Sequence, residues 1–219
     1  MRPYQHDFLQ VSLDNGILKF RDEGFVLKSG RLSPYFFNAG LFNTGHLLSQ
    51  LSRAYANAIL DTANGFEFDV LFGPAYKGIP LAVATVQALA SLGTDKEYSF
   101  NRKEVKDHGE GGAIVGASLK GKKVVIIDDV ITSGKAIREA VDIIRQEGGE
   151  LTGILVAVDR QEQTLNSMSS AIQALKDELK INVQAIITLQ DIVEFTKSTL
   201  GVDTVRQLEA YRKQYGVTE

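Results

Sequence analysis

The clearest chemical signal in this sequence is a pair of adjacent carboxylates followed by a turn that contains hydroxyls and a glycine. Val124–Ile127 is predicted to be a buried strand that ends in Asp128 and Asp129, and residues 132–134 (Thr-Ser-Gly) then lead into a helix. Backbone N–H groups at a helix start bind a phosphate monoester, and the carboxylates suit vicinal hydroxyls, so the pattern predicts a ribose 5-phosphate site. The alternative is an ordinary strand–turn–helix with a capping hydroxyl, but two acids at a buried strand end are costly without a ligand.

A second turn with binding chemistry follows another predicted strand. Residues 73–78 read Gly-Pro-Ala-Tyr-Lys-Gly. Glycine and proline let the backbone approach a ligand closely, and Lys77 adds a positive charge near the start of the next helix. Such a loop is suited to a pyrophosphate group. Taken alone, it is equally consistent with a plain connection between a strand and a helix.

A third segment, residues 100–112 (FNRKEVKDHGEGG), alternates cations with acids and ends in glycines. It is predicted to be a mobile lid whose cations close over a pyrophosphate while its glycines act as hinges. The alternative is a solvated surface loop whose charges cancel, which is the commoner case in an arbitrary protein. No hydrophobic periodicity predicts regular structure over residues 101–112.

These segments resemble the motifs of a known enzyme family. The Asp-Asp segment is similar to the 5-phosphoribosyl 1-diphosphate (PRPP) motif of type I phosphoribosyltransferases, and it departs from that motif at Lys135, where a hydroxyl residue is common. The loop at 73–78 is similar to the pyrophosphate loop of the same family. Residues 101–112 resemble the catalytic loop of orotate phosphoribosyltransferases, residues 25–38 their amino-terminal hood, and residues 159–162 their contact with the orotate carboxylate.

The resemblance implies transfer of phosphoribose from PRPP to N1 of orotate, which forms orotidine 5′-phosphate and pyrophosphate in pyrimidine (UMP) biosynthesis. It implies catalytic roles for Lys103, Asp128 and Asp129. The residues that it assigns to PRPP are Lys28, Tyr76, Lys77, Arg102, Lys103, Lys106, His108, Asp128, Asp129, Val130, Ile131, Thr132, Ser133, Gly134, Lys135 and Ala136. Those that it assigns to orotate are Lys28, Phe36, Phe37, Thr132 and Arg160.

The resemblance also implies a Mg²⁺ cofactor and a homodimer. The ion is expected to be held chiefly by substrate oxygens and waters, with no direct protein ligand. The catalytic loop of one subunit is expected to close over the site of its neighbour. Two residue assignments have structural alternatives: Phe36 and Phe37 are equally consistent with a packed core, and an arginine such as Arg160 is more often found in a surface salt bridge.

The candidate segments are expected to lie directly after the carboxyl ends of buried strands. Residues 124–128 and 153–159 are continuously apolar up to their acids, which is typical of a parallel sheet covered by helices on both faces. Ligands of such sheets bind at the carboxyl ends of the strands. The sequence therefore predicts an α/β fold with a parallel sheet flanked by helices, the type I phosphoribosyltransferase fold. Residues 1–40 do not fit the strand–helix alternation and are predicted to form a small amino-terminal hood beside a core domain at 41–219.

Hydrophobic spacing gives approximate limits for the elements. The predicted strands are Ile17–Phe20, Phe25–Leu27, Asp69–Phe72, Glu97–Phe100, Lys123–Asp128, Gly153–Val158 and Val183–Leu189. The predicted helices lie near residues 4–11, 47–59, 79–92, 137–147, 168–179 and 205–215.

Composition excludes several classes of function. The chain has 219 residues, a formal net charge of −3 and no cysteine, which rules out disulfides, thiolate metal sites and cysteine nucleophiles. With 24 basic against 27 acidic residues, it has no overall attraction to nucleic acid or anionic membranes, and neither is expected as a partner. No signal peptide and no run of 18 apolar residues is visible, so a cytoplasmic protein is expected.

Two rival functions remain open at the level of sequence. A phosphoribosyltransferase for a purine or another base would share the Asp-Asp motif, but it would not be expected to share the loop at 101–112 or the hood. A ligand-sensing regulator that uses this fold to bind nucleic acid would need a basic face or an added domain, and no segment of this sequence supplies either.

Overall fold

The computed structural model describes residues 1–106, 112–132, 134–164 and 167–217. The strands of its central sheet are β3 (Val70–Phe72), β4 (Glu97–Lys106), β5 (Gly112–Gly116), β6 (Lys123–Val130), β7 (Glu150–Asp159) and β10 (Asn182–Thr188). Two hairpins lie outside this sheet, formed by β1 (Leu18–Val26) with β2 (Leu32–Phe37) and by β8 (Gln163–Thr164) with β9 (Ser167–Ser170). The α-helices are α1 (Pro3–Asp14), α2 (Gly45–Leu60), α3 (Gly78–Ser91), α4 (Lys135–Gln146), α5 (Ala171–Leu179), α6 (Leu189–Thr199) and α7 (Val202–Tyr215).

The central sheet has the strand order β10-β7-β6-β3-β4-β5. Its first five strands are parallel, and β5 pairs antiparallel with β4 at one edge. Alternate residues of β6 are buried on opposite faces: Val124 and Ile126 join a hydrophobic cluster with α4 and α5, whereas Val125 and Ile127 join one with α2 and α3. Both faces are covered, which explains the continuous apolar runs and confirms the predicted α/β sheet flanked by helices.

The chain changes its direction of travel across the sheet at β3. This strand pairs with β4 on one side and with β6 on the other. In open parallel sheets, ligands bind in the crevice outside the carboxyl ends of the two strands at such a switch point. Here those ends carry the predicted pyrophosphate loop after β3 and the Asp-Asp motif at the end of β6.

The first 40 residues share their hydrophobic core with the sheet. Phe8 of α1 and Tyr35 of β2 belong to the same buried cluster as Leu155 of β7. The hairpin β1–β2 also contacts α7. The division into a hood at 1–40 and a core domain at 41–219 stays a prediction, and the packing shows that the two parts fold against one another.

Several element limits differ from the sequence prediction. The two predicted strands at 17–20 and 25–27 are wrong as separate elements, because β1 is one strand whose pairing is irregular between Phe20 and Phe25. The prediction of no regular structure over 101–112 is wrong for residues 101–106 and 112, which lie in β4 and β5. Strand β5 is the edge strand, and β4 pairs with β3 only through Glu97–Ser99, so residues 101–106 extend past β3 to a position where polar residues are permitted. Helix α6, which begins at a capping box of Thr188 and Asp191, was not predicted.

Candidate functional site

A cleft of about 360 Å³ lies where β6 turns into α4. The residues that line it are Asp128, Val130, Ile131, Thr132, Gly134, Lys135, Ala136, Ile137 and Glu139. They include every described residue from 128 to 136 except Asp129; Ser133 lies outside the described part of the chain. Gly134 has a φ of 72°, and a Cβ added there would lie 2.9 Å from Nη1 of Arg138. The positive φ therefore favours a glycine in the turn that opens this cleft, whereas the Arg138 side chain could move aside.

Asp128 lies at the buried end of β6. The hydroxyl of Tyr55 donates to the backbone carbonyl oxygen of Asp128 at 2.7 Å, and the backbone N–H of Asp129 donates to its Oδ1 at 2.9 Å. Burial raises the pKa of the Asp128 carboxyl to about 6. The group is ionised at neutral pH, and within the described residues the Asp129 N–H is the one hydrogen-bond donor to this carboxylate. Hydroxyl groups of a bound sugar would supply such donors.

Asp129 joins the two sides of the crevice. Its Oδ2 lies 2.7 Å from Nζ of Lys77, which comes from the loop after β3, and its Oδ1 accepts from the backbone N–H of Val130 at 2.8 Å. The Asp129 side chain is 15% exposed and that of Lys77 is 70% exposed. The predicted pyrophosphate loop and the predicted ribose carboxylates therefore meet directly, although they are 52 residues apart in sequence.

The loop after β3 is held in place by the neighbouring strand. The backbone N–H of Gly73 donates to the carbonyl oxygen of Ser99 at 2.9 Å, and that of Ala75 donates to Oδ1 of Asn101 at 2.9 Å. The loop closes tightly on itself, because a Cβ added to Gly73 would lie 2.0 Å from the carbonyl oxygen of Gly78. The two glycines are therefore required by a close backbone approach.

Strand β4, which carries the first residues of the predicted lid segment, runs beside this loop. Nζ of Lys103 lies 5.9 Å from the centroid of the Tyr76 ring, which is a cation–π distance. Arg102 precedes Lys103 on β4, and Lys106 ends the strand opposite Gly112. The prediction for His108 falls outside the described residues. Among the predicted pyrophosphate contacts, the structure thus brings Tyr76, Lys77 and Lys103 to one side of the crevice.

The predicted orotate residues divide between exposed and buried positions. Strand alternation in β2 places Phe37 in the core at 8% exposure and leaves Phe36 39% exposed beside Phe25, with their ring centroids 5.6 Å apart. Phe37 is therefore a core residue whose side chain is committed to packing. Lys28 lies exposed in the turn between β1 and β2, and Thr132 lines the cleft of the PRPP motif.

Arg160 follows β7 and makes a partly buried salt bridge. Its Nε donates to Oε1 of Glu162 at 2.8 Å and its Nη2 to Oγ of Ser33 at 3.0 Å, while its guanidinium carbon lies 4.2 Å from the Tyr35 ring centroid. Burial by itself would lower the pKa of Arg160, but Tyr35 and Glu162 outweigh it and raise the pKa. Arg160 is therefore a permanent cation at the carboxyl end of a sheet strand.

Sequence reasoning missed three residues that support the site. Asn101 and Glu162 lie inside the segments singled out by resemblance, so their positions were visible but their roles were not. Tyr55, on α2, had no sequence signal because its contact with Asp128 spans 73 residues. Lys135, the departure from the family motif, lies 3.8 Å from Glu139 at the mouth of the cleft, and its side chain is 83% exposed.

Comparison with known proteins agrees with this geometry. A family model described as the phosphoribosyl transferase domain matches residues 41–189. The chain is 51% identical to the orotate phosphoribosyltransferase of Yarrowia lipolytica over 100% of both chains, and 54% identical to that of Stenotrophomonas maltophilia over 99% of this chain and 98% of the relative. The crystal structure of orotate phosphoribosyltransferase from Francisella tularensis has a TM-score of 0.87 and 40% identity, and the match covers 95% of this chain and 98% of that one. The chain belongs to the orotate phosphoribosyltransferase family.

Proposed function

We propose that this chain transfers the phosphoribosyl group of PRPP to N1 of orotate, releasing pyrophosphate and forming orotidine 5′-phosphate for pyrimidine biosynthesis. The observation that carries the PRPP part is the contact between Lys77 and Asp129, because it joins a diphosphate loop to ribose-binding carboxylates at the switch point of the sheet. The choice of orotate rests on the full-length identity to orotate phosphoribosyltransferases.

The reaction poses an electrostatic problem. As the bond between C1′ and the pyrophosphate oxygen breaks, the ribose becomes oxocarbenium-like and negative charge builds on the leaving group, while N1 of orotate forms the new bond to C1′. The protein must neutralise the pyrophosphate and fix the ribose in line with the base. In our assignment Lys77, Tyr76, Arg102, Lys103, Lys106 and His108 meet the pyrophosphate, and the backbone and side chains of residues 130–136 enclose the 5-phosphate.

Asp128 and Asp129 bind the ribose hydroxyls in this proposal. In the structure, Asp129 is paired with Lys77. When PRPP binds, the Lys77 ammonium exchanges that carboxylate for a diphosphate oxygen, and Asp129 is released to accept hydrogen bonds from the sugar. Lys28, Phe36, Phe37, Thr132 and Arg160 bound the orotate site. Phe37 does so through its backbone, because its side chain is packed in the core. Arg160 meets the orotate carboxylate through charge-assisted hydrogen bonds.

A Mg²⁺ ion that arrives with the diphosphate fits this donor set. Within the described residues there is no group of three or more His, Cys, Asp or Glu side chains that could hold a metal. Mg²⁺ retains several waters and is commonly bound through one or two carboxylates and substrate phosphates, so it does not need such a cage. When bound, it adds positive charge at the leaving diphosphate. Of the residues in this chain, Asp128 and Asp129 would hold its hydration shell.

We further propose a homodimer that shares its catalytic loop. Lys103 supports this arrangement, since in the part of the chain that the structure describes it makes no ion pair and contacts only the Tyr76 ring as a cation. Its ammonium therefore remains available to a site in the neighbouring subunit. No helix within the described residues is long and apolar enough to cross a membrane. The cytoplasm is the location that we propose, and cell fractionation would test it.

The proposed reaction is tested by following the absorbance of orotate after addition of PRPP and Mg²⁺ to the purified chain. Loss of the orotate signal with stoichiometric release of pyrophosphate is the expected result. Adenine, guanine and hypoxanthine serve as competing substrates. Turnover of a purine without turnover of orotate would replace the proposal with a purine phosphoribosyltransferase, and binding of nucleic acid without any turnover would favour a regulator.

A further inference from the structure

Arg160 belongs to a cluster of charged and aromatic side chains that comes from three separate parts of the chain. The hairpin β1–β2, the segment after β7 and the helix α7 each contribute to it. Its members are Arg31, Ser33, Tyr35, Arg160, Glu162 and Tyr211, and we call them the Arg160 cluster. The function proposed above uses only Arg160 from this set.

Glu162 is the centre of the Arg160 cluster. Its Oε1 accepts from Nε of Arg160 at 2.8 Å and from the hydroxyl of Tyr211 at 2.9 Å, and lies 2.7 Å from Nη2 of Arg160. Its Oε2 lies 3.6 Å from Nη1 of Arg31. The Glu162 side chain is 11% exposed. This largely buried carboxylate is held by two cations and one hydroxyl, and removing one charged partner would leave buried charge uncompensated.

The contacts of Arg160 leave one side of its guanidinium unused. Glu162 and Ser33 occupy Nε and Nη2, and the Tyr35 ring covers one face at 4.2 Å. The Tyr211 hydroxyl also interacts with the Arg160 side chain, and the hydrogen bonds to Glu162 and Ser33 use Nε and Nη2 and not Nη1. A guanidinium binds a carboxylate through N–H groups in a fixed plane, so the partners that fix this plane also fix the direction of the free N–H groups.

We propose that Glu162 and Tyr211 are positioning residues for the pyrimidine, which hold the Arg160 guanidinium so that Nη1 is left for the carboxylate of the base. The inference rests on the proposed function, because it takes Arg160 as the orotate contact. Neither residue touches the reacting atoms. Because Tyr211 lies on α7, the carboxyl-terminal helix contributes to substrate choice although it is far in sequence from every motif.

The test compares two nucleotides that share a ribose 5-phosphate and differ in the base carboxylate, orotidine 5′-phosphate and uridine 5′-phosphate. Their affinities are measured by calorimetry for the full chain and for the variants Glu162→Gln and Tyr211→Phe. We expect Glu162→Gln to lose about tenfold, and Tyr211→Phe about threefold, in affinity for orotidine 5′-phosphate, as when a charge-assisted hydrogen bond is weakened. The affinity for uridine 5′-phosphate should not change.

Two matched variants control for general effects of the substitutions. Glu209→Gln removes the charge of another α7 residue, which pairs with Lys197 at 2.9 Å, and Tyr4→Phe removes a hydroxyl that lies 3.5 Å from Asp61. Both should bind the two nucleotides as the unmodified chain does. If Glu162→Gln fails to fold, Tyr211→Phe carries the test, since it removes a single hydroxyl.

The outcomes separate this inference from the proposed function. The positioning role would be overturned if both variants lost affinity equally for the two nucleotides. It would also be overturned if the affinities of both variants were unchanged while Arg160→Ala lost its preference for orotidine 5′-phosphate. Either result would leave the assignment of Arg160 to the orotate carboxylate intact. An unmodified chain that does not prefer orotidine 5′-phosphate would instead refute the assignment of Arg160 to the base carboxylate.

Discussion

At the level of single residues, the Asp128 carboxyl shows how the site and the stability of the fold are linked. Burial raises its pKa from 3.8 to about 6. Between these pH values the folded chain retains a proton that the unfolded chain has released, so the free energy of unfolding falls as pH rises through this window. Above about pH 6 the free energy of unfolding stays at its lowered value. A pKa shift of this size lowers it by about 2–3 kcal/mol.

Replacing the carboxylate with a neutral amide should remove this reduction. We predict that Asp128→Asn raises the free energy of unfolding by about 2–3 kcal/mol at pH 7.5 and by roughly half as much at pH 5. Turnover should fall, because the ribose hydroxyls then keep only the carboxylate of Asp129. Denaturant unfolding at both pH values provides the measurement. A variant that is less stable than the unmodified chain at pH 7.5 would show that Asp128 has a structural role instead.

At the level of elements, the loop between β3 and α3 depends on backbone contact between two glycines. We predict that Gly73→Ala raises the KM for PRPP at least about tenfold, since the added Cβ would lie 2.0 Å from the Gly78 carbonyl oxygen and must displace the loop. Stability should fall by about 1–3 kcal/mol. Steady-state kinetics and thermal unfolding would measure the two effects.

Gly45→Ala is a suitable control for this loop variant. Gly45 begins α2, and a Cβ added there has no heavy atom within 4 Å. Its kinetics should match those of the unmodified chain. If Gly73→Ala also bound PRPP normally, the close approach of Gly73 and Gly78 would have no part in binding the diphosphate.

The buried strands were predictable from sequence because their residues must be apolar on both faces. Predicted limits of 123–128 and 183–189 correspond to β6 at Lys123–Val130 and β10 at Asn182–Thr188. The part of β4 beyond Phe100 could not be recognised in this way, since the charged residues at 102–106 match a loop as well as a strand. The short strand β5 (Gly112–Gly116) follows directly on glycines that match a turn. Composition alone does not distinguish a solvated edge strand from a surface turn.

The candidate site was predictable only in part. The Asp-Asp motif was predictable because its carboxylates and its phosphate-binding turn lie within 13 consecutive residues, 124–136. The structure places most of these residues around one cleft. The pairing of Lys77 with Asp129 depends on two neighbouring strands whose order the sequence does not state. The partners of Arg160 are also beyond sequence reasoning, because Ser33 and Tyr211 reach it from opposite ends of the chain.

At the level of the whole molecule, the proposal of a catalytic loop shared between subunits predicts complementation between two inactive proteins. Lys103→Ala and the double variant Asp128→Asn/Asp129→Asn should each be inactive. When the two are unfolded, mixed and refolded, about half of the dimers are hybrids. In a hybrid, the Lys103→Ala chain keeps its carboxylates and receives an intact loop from its partner, so one of the two sites works. Activity should recover to about a quarter of that of the unmodified protein.

This experiment also reports on the assembly. A hybrid with one distinguishable subunit, separated by size or charge, must be shown to form before activity is interpreted. If hybrids form and the mixture remains inactive, the loop serves its own subunit and the proposal of a shared site is refuted.

The last described residues of the chain are bound by backbone contacts to the segment that contains Arg160. The backbone N–H of Val217 donates to the carbonyl oxygen of Gln161 at 2.9 Å, and the Gly216 carbonyl oxygen accepts from Nε2 of Gln163 at 3.2 Å. Met1, by contrast, is 46% exposed and precedes α1. For purification or immobilisation, an affinity tag therefore belongs at the amino end. A fusion partner joined after Val217 would disturb the backbone contacts to residues 161–163, the segment that is proposed to meet the base.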